Sequence, residues 1–121
     1  MRSMRKEELA VLERLLEMVP NDARPHPDYE PHVEDMADGG MGGIRFVVET
    51  GKSRKMGREL VTAEYIDEDQ VPVLISINLD EDGRLFEIDF WKVDYKPLKR
   101  YPRQEELHIA PPPATIRPKP P

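Results

Sequence analysis

Between Leu60 and Tyr95, apolar residues recur at every second position through three segments, which are separated by two acid-rich turns, Asp67-Glu68-Asp69-Gln70 and Asp80-Glu81-Asp82-Gly83. A period of two marks strands with one buried face, so the three segments are expected to pair as antiparallel neighbours. The pattern also fixes their register, because a slip of one residue would send every side chain to the opposite face. With Asp80 to Gly83 as a four-residue loop and Gly83 left-handed, Ile77 faces Phe86, Ile75 faces Ile88 and Val73 faces Phe90. A three-residue loop would instead set Ile77 against Glu87 and Ile75 against Asp89, which spoils the core. In the preceding hairpin, the three-residue loop Glu68-Asp69-Gln70 sets Tyr65 against Val73, Ala63 against Ile75 and Val61 against Ile77.

Four strands follow from this reading. The first begins at Ile44, with Ile44, Phe46 and Val48 alternating against Arg45, Val47 and Glu49, and ends at Thr50-Gly51. The others span about 60–66, 71–79 and 84–92, and Pro72 stands at a strand start, where its missing N–H is tolerated. Ahead of them, Leu9, Leu12, Leu15, Leu16 and Val19 share one side of a helix over residues 4–18, with Glu8, Glu13, Arg14 and Glu17 mostly on the other. Ser3 suits its N-cap and Pro20 stops it. Residues 20–43 carry four prolines and Asp38-Gly39-Gly40-Met41-Gly42-Gly43, so they read as irregular, with one helical turn around His32 to Met36. The expected fold is α+β: one N-terminal amphipathic helix packed on a four-stranded, mainly antiparallel sheet. Residues 1–102 form a single domain, and residues 103–121 a proline-rich extended tail holding Pro111-Pro112-Pro113 and Pro118 to Pro121. That tail either docks on aromatics such as Trp91, Tyr95 or Tyr101, or stands off the domain.

Charge and composition exclude several classes. A formal charge of −6 disfavours generic binding to nucleic acid or an anionic membrane and favours a basic partner. Without cysteine there is no disulfide framework, thiolate nucleophile or Cys-based zinc site. Charged residues fill the N-terminus, and no apolar run is long enough to span a bilayer, which reads as a cytoplasmic protein.

By exclusion from the core, Thr62, Glu64, Leu74, Ser76, Asn78, Glu87, Asp89 and Trp91 share the opposite sheet face. Glu64, Glu87, Asp89 and Trp91 are the binding candidates there, since carboxylates around an aromatic residue suit a docking surface. Asp38, Gly39 and Gly40 are a second candidate, because glycine-rich loops allow close backbone approach. Other patterns are weaker. Asn78, Asp80, Asp82, Gly83 and Asp89 match calcium-loop spacing, but strands rather than helices flank them. His32 with Asp35 and Asp38 falls short of a four-ligand zinc set, and His26 and His108 lie apart from them. Gly51-Lys52-Ser53 lacks the upstream glycine of a phosphate loop, where Phe46 stands. The basic stretch from Lys52 to Arg58 reads as a solvated loop. No catalytic set, metal site or cofactor site is assigned.

Asp38-Gly39-Gly40-Met41-Gly42, the acidic turn near Asp67 to Asp69 and the run Phe86-Glu87-Ile88-Asp89-Phe90-Trp91-Lys92-Val93-Asp94 together resemble a family of small bacterial domains of unknown function. The resemblance covers roughly residues 5–102 and implies a bacterial cytoplasmic domain with no reaction attached. Gln70 departs from the glycine expected in the second turn. The functional expectation is a non-enzymatic protein-interaction module, of the kind that neutralises a basic partner as an immunity protein or inhibitor does. The alternative is a metal-assisted hydrolase using Glu64, Glu87 and Asp89. With Leu74 and Trp91 in mid-face, a homodimer or the tail is expected to cover them.

Overall fold

The structure, a computed structural model, describes residues 1–25, 32–47 and 54–110. The alternating segments form the long strands β4 (Met56–Ile66), β5 (Pro72–Asp80) and β6 (Leu85–Lys92). Ile44–Phe46 forms β3 beside β6; the part of that strand expected after Val47 lies outside the described residues. Three short strands were not foreseen, β1 (Arg2–Ser3), β2 (His32–Asp35) and β7 (His108–Ile109). The sheet therefore has seven antiparallel strands rather than four, in the order β1-β2-β3-β6-β5-β4-β7. The added strands are two to four residues long, too short to show a period; their backbones pair because a longer neighbour's edge is already in place. His32 to Met36 accordingly holds a strand where a helical turn was expected.

The β4–β5 hairpin takes the expected register, with Tyr65 opposite Val73, Ala63 opposite Ile75 and Val61 opposite Ile77. Gln70 adopts φ 68°, doing in its turn what glycine was expected to do. The β5–β6 hairpin differs. It closes through a three-residue loop, Asp80 N–H donating to the Arg84 carbonyl, and sets Leu79 opposite Leu85. A bulge at Phe86 then restores parity, so that Ile77 faces Ile88, Ile75 faces Phe90 and Val73 faces Lys92. Ile77 and Ile75 still oppose apolar residues while Val73 meets Lys92, and each partner lies two places beyond the one expected. Phe86 is left out of the ladder, and the guanidiniums of Arg45 and Arg54 lie over its ring, 5.1 and 5.4 Å from its centre.

The single α-helix among the described residues, α1 (Lys6–Glu17), buries Val11, Leu12 and Leu15 against the core face of the sheet. Its N-cap is Arg5 rather than Ser3, which is drawn into β1. Glu8 does not join the solvent face; it is buried, accepts a hydrogen bond from Arg5 N at 2.7 Å and is clasped by both terminal nitrogens of Arg2. Arg2 also reaches Asp35 at 2.7 Å, tying β1, α1 and β2 together. Residues 103–110, read from the sequence as the start of the tail, pack on the domain: Gln104–Glu106 form a 3-10 turn, Leu107 is 1% exposed, and β7 pairs with β4. Residues 111–121 lie outside the described part.

Candidate functional site

The face opposite α1 is organised by the registers of β4, β5 and β6 into rows. Glu64, Leu74 and Trp91 form one row; Thr62, Ser76 and Asp89 form the next; Glu59, Asn78 and Glu87 form the third, which Arg45 of β3 extends. At the opposite end, Ile66 pairs with Pro72, and Val93 N donates to the Pro72 carbonyl at 3.1 Å, so Ile66, Pro72 and Val93 make a fourth row beside that of Trp91. Ile66 is 48% exposed and Val93 41%. Tyr95 has φ 64°, a conformation that side chains other than glycine seldom adopt, and its ring lies 6.4 Å from that of Trp91. One end of the face is thus apolar and aromatic, and the remainder is acidic and hydroxylic.

The face contains every residue placed on it by parity, but it does not gather the three predicted carboxylates. Glu64 stands in Trp91's row, Asp89 in the next and Glu87 in the one after. Both oxygens of Glu87 are engaged, one by Arg45 at 3.1 Å and one by Asn78 Nδ2 at 3.0 Å. Among the described residues no group of three or more His, Asp and Glu side chains converges as a metal donor set. The acidic turn at calcium-loop spacing is a hairpin cap. Asp80 Oδ1 accepts Asp82 N and Arg84 N, and its Oδ2 takes Arg54. Burial pushes the Asp80 carboxyl up, but these donors outweigh it and hold it below the ordinary aspartate value. His32 is exposed on β2 and Asp35 is taken by Arg2. His26 and Gly51-Lys52-Ser53 lie outside the described residues.

Asp38, Gly39 and Gly40 open the loop that joins β2 to β3. The Asp38 carboxylate accepts Met41 N at 3.1 Å and Gly43 N at 2.9 Å, folding the loop over its own aspartate and burying Met41. Gly40 and Gly42 have φ of 81° and 103°; a Cβ on Gly42 would stand 3.2 Å from Leu98. Left-handed backbone at Gly39, Gly40 and Gly42, the close approach of Leu98 to Gly42 and that of Asp38 to Gly43 therefore account for the glycines. The loop walls a cleft of about 340 Å³, which Arg5, Lys99 and Tyr101 also line.

The group that sequence reasoning missed is Lys92. It falls on the core face and is fully buried, donating to Asp67 at 2.8 Å, Asp69 at 2.6 Å and the Pro97 carbonyl at 3.2 Å. Asp67, equally buried, also accepts Glu68 N, Lys99 N and Arg100 N. Burial pushes the Lys92 ammonium down, but the two carboxylates more than offset this and raise it. Burial likewise works against the Asp67 carboxylate, which Lys92 and the backbone donors nevertheless hold below its ordinary value. The available signal was a lysine at a core-parity position with aspartates in the neighbouring turn.

Residues 1–102 match the model of a family described as a domain of unknown function, DUF6984. No curated protein and no solved structure matches the chain.

Proposed function

We propose, from the premise that this chain belongs to the DUF6984 family of unknown function, that it is a non-enzymatic protein-interaction module docking through the sheet face that carries Trp91. The observation that carries this reading is the apolar end of that face. Ile66, Pro72 and Val93 line up beside Leu74 and Trp91, with Tyr95 against the tryptophan. Exposed apolar clusters with an aromatic anchor and a charged rim are the usual build of an interface. Glu59, Glu64 and Asp89 give this rim its sign, which with the net charge of −6 selects a basic partner, as an inhibitor or immunity protein would. We take the module to act in the bacterial cytoplasm. No helix among the described residues is long and apolar enough to cross a membrane.

Val93→Asp in the full-length chain is expected to abolish capture of a specific basic protein from lysate. Glu13→Lys, on the exposed side of α1, is expected to leave capture intact. If both variants unfold at the wild-type temperature and capture equally, the docking face is wrongly assigned.

A further inference from the structure

The described chain ends on the edge of this same face. Ala110 N donates to the Thr62 carbonyl at 2.9 Å, and Thr62 begins the row that runs through Ser76 to Asp89, one row away from Trp91. From the end of β7 to β6 is three strand spacings, about 14 Å, and moving one row along adds about 7 Å. The eleven residues that follow Ala110 reach about 34 Å when extended, so the whole face lies within their range.

Their composition complements the surface. Residues 111–121 contain six prolines, Ile116, and the cations Arg117 and Lys119, and they contain no acidic residue. The face offers what a proline-rich basic segment needs: the Trp91 and Tyr95 rings and Pro72 for pyrrolidine rings, and Glu59, Glu64 and Asp89 for the cations. A second copy of the face is a poor occupant by comparison, because its own acidic rim would meet this one.

We propose that residues 111–121 are an intramolecular ligand of the Trp91 face, so that the module regulates its own docking surface. This rests on the docking-face reading above. The segment competes with a basic partner for the same carboxylates and aromatics, and a partner must displace it. Because Trp91 is the only tryptophan, its fluorescence reports occupancy without a label.

The test uses the full-length chain, with acrylamide quenching of Trp91 as the readout. Charge reversal by Arg117→Glu with Lys119→Glu removes two surface ion pairs, shifting the docking equilibrium by about tenfold. The quenching constant should rise accordingly. A compensating reversal, Glu64→Lys with Asp89→Lys, should return it toward the wild-type value, which a misfolded variant would not do. Unchanged quenching in the Arg117/Lys119 variant overturns the proposal, as does wild-type protection that is lost on dilution, which would assign the contact to a second copy. The partner-capture experiment with Val93→Asp is independent of either result: loss of capture there with unchanged quenching here would leave the docking face standing and remove only its internal ligand.

Discussion

Lys92 holds together parts of the chain that are far apart in sequence. Its three donors meet the turn after β4 through Asp67 and Asp69, and the segment after β6 through Pro97, while Asp67 also gathers the Lys99 and Arg100 amides. Removing one member of a buried ion pair leaves its partner's charge uncompensated, which costs more than the pair itself contributes. Lys92→Met, which fits the volume but strands Asp67, is expected to lower the midpoint of thermal unfolding by on the order of 10 °C. Asp69→Asn removes a partner that is partly exposed and should lower it by less than half as much. Equal small shifts in both variants would mean that the buried contact contributes little.

At the scale of elements, the two hairpins show how turn chemistry and face parity are reconciled. The β5–β6 turn takes the short loop that its Asp80 cap and Gly83 favour, and the Phe86 bulge returns the strand to the parity its apolar residues demand. Alternation constrains which face a residue occupies but not its partner, so a shift of two places left the pattern satisfied. The β4–β5 turn meets the same requirement with Gln70 in the left-handed region. Holding a residue with a Cβ there costs about 1 kcal/mol, while glycine loses more freedom on folding. The first term is local and certain, so Gln70→Gly is expected to stabilise the chain by about 0.5 kcal/mol, seen as a higher urea midpoint with an unchanged slope. A lower midpoint would show that the Gln70 side chain has a role its backbone does not reveal.

For the whole molecule, the fold extends beyond the match to its family. The match ends at residue 102, yet Leu107 completes the core, β7 covers part of the β4 edge, and Glu106 clasps Arg100 with two contacts of 2.7 Å. Truncation after Arg103 is therefore expected to lower the thermal midpoint by on the order of 10 °C, chiefly through exposure of the Leu107 pocket, and differential scanning calorimetry would register it. A transition within one degree of the intact chain would show that these residues only lie on the surface. The α+β class, the amphipathic helix, the three long strands and the side of the sheet on which Glu64, Glu87, Asp89 and Trp91 stand were legible in the residues alone, because hydrophobic periodicity is local and each strand repeats it many times. The short strands, the burial of Glu8, the neutralisation of Glu87 by Arg45 and the clasp around Lys92 emerge only in three dimensions. Each of these depends on partners 5 to 46 residues away in sequence. The short strands pair through backbone hydrogen bonds and the rest through charge meeting charge in space, and no periodicity in the chain records either.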